Sequence, residues 1–346
     1  SMAGEYSIEG RALCGEFFEE RMVALHIRDG IIVDIEEKKS VPDRWICPAF
    51  FNAHTHIADT VAMDIDAKGS LSELVAPPDG LKHRLLKMTP PDDLIRAMRS
   101  TTEVMQQTGT SGFADFREGG AEGVVSLKAA LADRGMDVVI FGRDGGECIA
   151  HGLGISSVRE HGSRTADLVA SARSAGKMVA LHAGEKNGDD IEEAIACEPD
   201  LLVHCTHASD HQVRMIADAG IPVAVCPRSN WRLGVTSSRD FPPVHTMLES
   251  GCTVFLGTDN VMFVQPDMGA EMSFVSYAYG LEPEAILAMA TAGASLAGTS
   301  YLIEEQERAN FITIDATRGN ALFSKNIARS VVNRLNSLSF KGTILT

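Results

Sequence analysis

The sequence has no pair of cysteines at metal-binding or redox spacing. Its seven cysteines stand at positions 14, 47, 148, 197, 205, 226 and 252, an odd number with no CxxC among them. That scatter excludes a cysteine zinc site and a disulfide framework, and it suits free thiols in a reducing compartment. Basic charge is also scarce. With 31 Lys and Arg against 47 Asp and Glu, the net charge is −16, so neither nucleic acid nor an anionic membrane is expected as a partner. No apolar run approaches the ~20 residues of a membrane helix, and no basic segment followed by an apolar one opens the chain, so no signal peptide is expected. Internal repeats and low-complexity segments are absent as well. What remains reads as a globular protein expected in the cytoplasm, 45% hydrophobic and 23% charged, whose 346 residues suffice for one large domain and a smaller one.

Eight short apolar runs recur through the middle of the chain, each followed by a helix-like segment. They are 45–54, 111–116, 137–144, 154–157, 177–185, 200–207, 221–227 and 252–259. The intervening patterns "PDDLIRAMRSTTEVMQQTG", "ADLVASARSAG" and "HQVRMIADAG" each end in Gly, a frequent helix stop. Continuous apolar strands alternating with helices predict a parallel sheet covered on both faces, and eight units predict a (β/α)8 TIM barrel over 48–305. The ends differ. Residues 1–47 and 306–346 hold hairpin-like text, with "RDG" as a turn, and predict a small β-sandwich domain built from both termini.

In such a barrel the active site lies where the strands end. His54 and His56 end strand one, His182 and Glu185 strand five, His204 and His207 strand six, and Asp259 strand eight. A lone histidine after an apolar run is more often structural than a ligand, but four strand ends supplying His or Asp to one face are a metal-site pattern. His54 and His56, two residues apart, share one side of a strand. With His182 and Asp259 they form a three-nitrogen, one-oxygen set that suits Zn2+ or Fe2+ and leaves a position for water.

The motifs "NAHTH", "HAGE", "VHCTH", "CPRSN" and "GTDN", in this order and strand context, resemble the amidohydrolase superfamily, most closely its cytosine, guanine and S-adenosylhomocysteine deaminase branch. The resemblance covers nearly the whole chain. It implies His54, His56, His182 and Asp259 as ligands, Glu185 as the proton-shuttling glutamate, and His204 as a contact of the attacking water or substrate. No lysine ends strand four, where binuclear relatives carry a carboxylated one, so a single ion is expected. The physical chemistry agrees. A divalent ion lowers the pKa of water toward ~7, Asp259 accepts its proton, Glu185 protonates a ring nitrogen, and His204 stabilises the developing tetrahedral centre. Hydrolytic deamination of an aminated heterocycle (nucleobase, nucleoside or pterin-like) follows as the leading expectation. Opening of a cyclic amide and displacement of chloride use the same site, and a non-catalytic, metal-braced binding protein is the rival from another class.

The substrate residues are less determined. In "CPRSNWRLG", Ser229 and Asn230 shape or contact the pocket, and Arg228 is either an anion clamp or a loop brace. Arg117 and Arg143 end strands two and three; they select a carboxylate or phosphate on a small-molecule substrate, or pair with neighbouring acids. His207 is read as an orienting partner of a ligand. The insert 57–87, with Pro77, Pro78 and Gly80, cannot be one helix and reads as a lid, in which Asp59, Asp64, Lys82 and His83 are possible contacts. Dimers are common in enzymes of this shape, so a homodimer is the one macromolecular partner considered.

Overall fold

The computed structural model describes residues 4–66, 68–77 and 80–342; Pro78 and both chain ends, 1–3 and 343–346, lie outside the described residues. The eight expected strands form one curled parallel sheet, a TIM-barrel-like α/β fold. In order around it they are Phe50–His56, Thr110–Arg117, Asp137–Gly142, Gly152–Ile155, Met178–Ala183, Leu201–His204, Val223–Val225 and Val254–Leu256. The last strand resumes as Asp259–Asn260 and pairs with the first, Asp259 opposite Thr55 and Asn260 opposite His56. At this seam the Thr258 amide donates to the His54 carbonyl (3.0 Å). Only glycine fits at 257, because a Cβ there would stand 2.7 Å from the His54 nitrogen.

The strands are short and apolar because both their faces are covered. "VALHA", "LLVH", "VAV" and "VFL" are buried throughout. The three Gly-terminated patterns become the helices Pro91–Gln107, Thr165–Ser174 and Asp210–Ala219. The last is held at its start by a Ser209/Gln212 capping box and stopped by Gly220 at φ 68°.

The run expected as one strand at 45–54 is two. Arg44–Pro48 belongs to a second sheet, and the chain changes sheets at Ala49, whose amide donates to Asn310 O (3.2 Å), while Phe50 N donates to Gly109 O (3.0 Å). Pro48, with no N–H of its own, marks the crossing. The second sheet has six strands drawn from both ends of the chain, in the order Phe340–Gly342, Phe311–Asp315, Arg44–Pro48, Glu5–Cys14, Glu19–Arg28 and Ile31–Glu37. The "RDG" turn is present, with Asp29 and Gly30 at φ 50° and 78°, as a two-residue hairpin requires. The C-terminal part also contains a helix, Ile327–Arg334, whose Ile327, Val331 and Val332 join the main core.

The insert after strand one forms a 3-10 turn, Ile57–Ala62, and two short helices, Leu71–Val75 and Leu81–Met88. Leu71, Val75 and Pro77 face the main cavity, as a lid does. Among the described residues no helix is long and apolar enough to cross a membrane, and the seven cysteines are free.

Candidate metal centre and active site

Alternation along strand one brings His54 and His56 inward together, and parallel neighbours supply the rest. The Nε2 atoms of His54 and His182 are 3.2 Å apart. Asp259 Oδ1 lies 3.3 Å from Nε2 of both His54 and His56. All four side chains are buried, and their donor atoms fall within 4.8 Å of one another. Tetrahedral ligands on ~2.0 Å bonds stand roughly 3.3 Å apart, so the set already has the spacing of a coordination sphere. His182 donates its Nδ1 proton to Ile155 O (3.3 Å), which leaves the lone pair of its Nε2 facing His54 Nε2. Three buried imidazoles and a carboxylate converging at this spacing form a donor set that fits a divalent metal ion.

Beside this set stand Glu185, His204 and Asp259. His204 Nε2 is 3.4 Å from Glu185 Oε1 and 3.6 Å from Asp259 Oδ2. Gly184, at φ 64°, makes the turn that carries Glu185 back over the strand end; a Cβ there would stand 2.5 Å from Ile191 Cδ1. Two residues expected to shape or contact the pocket bond Asp259 and His204. Ser229 donates its hydroxyl to Asp259 Oδ2 (3.0 Å). Asn230 donates Nδ2 to His204 Nδ1 (3.3 Å) while its Oδ1 accepts from Thr206 (3.1 Å). This chain of bonds assigns the proton of His204 to Nε2, facing the cavity.

His204 and Asp259 occupy left-handed backbone conformations, φ 79° and 62°. Such positions cost of order 1–3 kcal/mol for a non-glycine residue and gather at functional sites. Burial would raise the Asp259 carboxyl, yet His54 and His56 beside it hold it well below the ordinary range. Burial drives His54 down to about 3 and His182 well below its usual value, so both stay neutral, as ligation requires. Burial pushes the Glu185 carboxyl up, against the pull of His204.

The site opens into a cavity of about 500 Å³. Its floor is His56, His182, His204, Asp259 and Glu185; Ser157, Arg159, Lys186 and Asn187 line one side. Ser156 and Ser157 reach it because strand four runs Gly152–Ile155, two residues earlier than expected, and they follow its end.

Arg117, Arg143 and Arg228 do not line this cavity; they take the bracing alternative. Arg117 Nε donates to Gly123 O (2.9 Å). Arg143 pairs with Glu160 and donates to Ser156 Oγ (2.8 Å). Arg228 donates to fully buried Glu271 (Nε to Oε1, 3.0 Å) and to Gln265 O (2.8 Å). His207 likewise bonds Val235 O (2.7 Å) in a loop. Arg228→Met, which strands the Glu271 carboxylate, is therefore expected to cost about 3–5 kcal/mol of stability. Urea unfolding checks this; unchanged stability together with a raised KM would make Arg228 a substrate group after all.

Sequence reasoning underrated one group. Lys82, from the lid, is 2% exposed; its Nζ lies 2.8 Å from Glu118 Oε1 and 3.3 Å from Asp59 Oδ1. Asn260, next to Asp259, donates to Asp59 Oδ2 (2.8 Å). Lys82 was named beside Asp59 as a possible contact, and it lines the cavity with His83, but nothing local marked its burial or its acidic partners.

A parallel barrel with a buried His3Asp set and an acid at the strand ends defines a metal-dependent hydrolase. Comparison with known proteins agrees. The amidohydrolase family pattern matches residues 156–345. A protein of Methanothermobacter thermautotrophicus named as an aminohydrolase is 31% identical over 95% of this chain and 94% of its own length. A 5-methylthioadenosine/S-adenosylhomocysteine deaminase of Halobacterium salinarum is 27% identical over 62% of this chain and 57% of its own. The fold matches an adenosine deaminase of Xanthomonas campestris with bound zinc: TM-score 0.80, 16% identity, 94% of this chain and 88% of that one. The chain belongs to the amidohydrolase family, on its deaminase-like branch, and is a hydrolase of carbon–nitrogen bonds.

Proposed function

We propose that the protein is a mononuclear metal-dependent aminohydrolase that deaminates a heterocycle of the nucleobase, nucleoside or pterin class. His54, His56, His182 and Asp259 hold the ion, Zn2+ before Fe2+, in the barrel domain (48–305), and residues 1–47 with 306–346 form the small β-sandwich domain. The observation that carries the reading is Glu185, a carboxyl raised by burial, 3.4 Å from His204 and facing the same cavity as Asp259.

When bound, a divalent ion at this site activates water and polarises the carbon under attack. Asp259, kept ionised by its histidine neighbours, accepts the proton released by water, and Ser229 fixes the angle of its carboxylate. Glu185 holds a proton that it delivers to the ring nitrogen, making the adjacent amino-bearing carbon electrophilic. His204, its proton assigned to Nε2 by Asn230, donates to the charge that grows on the tetrahedral centre. The departing amine takes the proton held by Asp259 and leaves as ammonia, while the hydroxyl of the tetrahedral centre returns its proton to Glu185 as the carbonyl forms. The deaminase names among sequence relatives support this choice over lactam opening.

The test is a panel of purines, pyrimidines, their nucleosides and aminopterins, with ammonia as the readout. Release from at least one member by zinc-loaded enzyme is expected. No turnover of any member by metal-replete protein would sink the proposal.

A further inference from the structure

The lid insert sends one charged side chain deep into the protein. Lys82 rises from the helix Leu81–Met88 and ends 2% exposed, with its ammonium 3.2 Å from Nδ1 of His56, on the far side of the ring from the proposed ion. Glu118, at the end of strand two, is the common partner: its Oε1 stands 2.8 Å from Lys82 Nζ and 3.2 Å from His56 Nδ1. Asp59 completes the cluster, facing Lys82 at 3.3 Å and accepting from Asn260. Three barrel strand ends and the lid thus meet behind one imidazole.

Burying an ammonium and two carboxylates is a poor way to gain stability alone, since apolar residues of the same volume do as well or better. The geometry supplies another reason. His56 can bind an ion through Nε2 only if its proton is on Nδ1. A carboxylate at Nδ1 selects that tautomer, whereas a lysine donating there would select the wrong one. Glu118 Oε1 accepts from both, so Lys82 anchors the carboxylate that aims the ring, and its remaining protons go to Asp59. Lys82 is supplied by the lid, so the carboxylate is anchored in this way only while the lid is folded down.

We propose that Lys82 is a positioning residue for the metal centre: through Glu118 it fixes His56, and it thereby links metal occupancy to closure of the lid. The inference rests on the reading of His54, His56, His182 and Asp259 as ligands. Linkage is reciprocal: an ion that favours the closed lid is itself bound more tightly by the factor with which it favours closure.

The test uses protein freed of metal by a chelator and titrated with Zn2+ against a competing chelator, beside hydrogen exchange over segment 57–88. Lys82→Met and Glu118→Gln are each expected to weaken Zn2+ binding by roughly 10–100-fold, and the double variant by less than the product of the two. Zn2+ slows exchange of the lid in the wild type and not in Lys82→Met. Wild-type Zn2+ affinity in Lys82→Met, or lid exchange that slows equally in both proteins, overturns the inference. If Lys82→Met does not fold, Glu118→Gln decides alone, and wild-type affinity in it is fatal. A wild type that binds no Zn2+ overturns the metal-centre reading itself, a result separable from these.

Discussion

Glu185→Gln is expected to lower kcat by roughly 10²–10⁴-fold, the range supplied by a positioned general acid or base, while leaving the bound metal in place. Glutamine has the shape of glutamate and keeps an oxygen for the contact with His204, but it carries no transferable proton. Glu185 stands outside the set His54, His56, His182 and Asp259, in the neighbouring group with His204 and Asp259, so retention of the ion is the outcome the proposed assignment predicts. Steady-state ammonia release together with metal content of the same sample separates the two effects. Activity retained on a confirmed substrate would show that Glu185 is not the proton carrier; lost metal would make it a ligand.

Removal of the ion is expected to abolish turnover completely and to lower thermal stability. Adding Zn2+ back should restore both, and His182→Ala should not recover with either metal. The stability effect follows from mass action. A ligand at a thousand times its Kd stabilises the folded state by about 4 kcal/mol. Calorimetry with and without chelator measures this beside activity. A protein that loses stability but keeps full activity without metal would hold a structural ion; a structural site is closed by four protein ligands, whereas a catalytic one keeps a position open.

The clustering of His54, His56, His182 and Asp259 was legible because each follows an apolar run and the barrel puts all strand ends on one face. Periodicity places a residue at the mouth without saying where its side chain turns, so the choice between anion clamp and loop brace stayed open for the arginines. Arg228 reaches Glu271, 43 residues later in the sequence, and Arg143 reaches Glu160 in the next loop; neither partner announces itself locally. The division at Ala49 was hidden because "WICPAFFNAH" is apolar on both sides of the sheet change. Lys82 was legible only as a possible contact in the insert. In "DGLKHRLLK" a lysine has the pattern of a solvated helix face, and only the fold of the insert over the barrel buries it against Glu118 and Asp59. Ser229 and Asn230, expected to shape or contact the pocket, bond Asp259 and His204.

The central claim is that water replaces an amino group on a heterocyclic carbon. Turnover of the best amine in ¹⁸O-labelled water, with the product analysed by mass spectrometry and ammonia counted, tests it most directly. The account predicts one labelled oxygen in the product and one ammonia for each substrate consumed. A product that retains its amino nitrogen, whether by loss of chloride or by opening of the ring to a carboxylate, would contradict it.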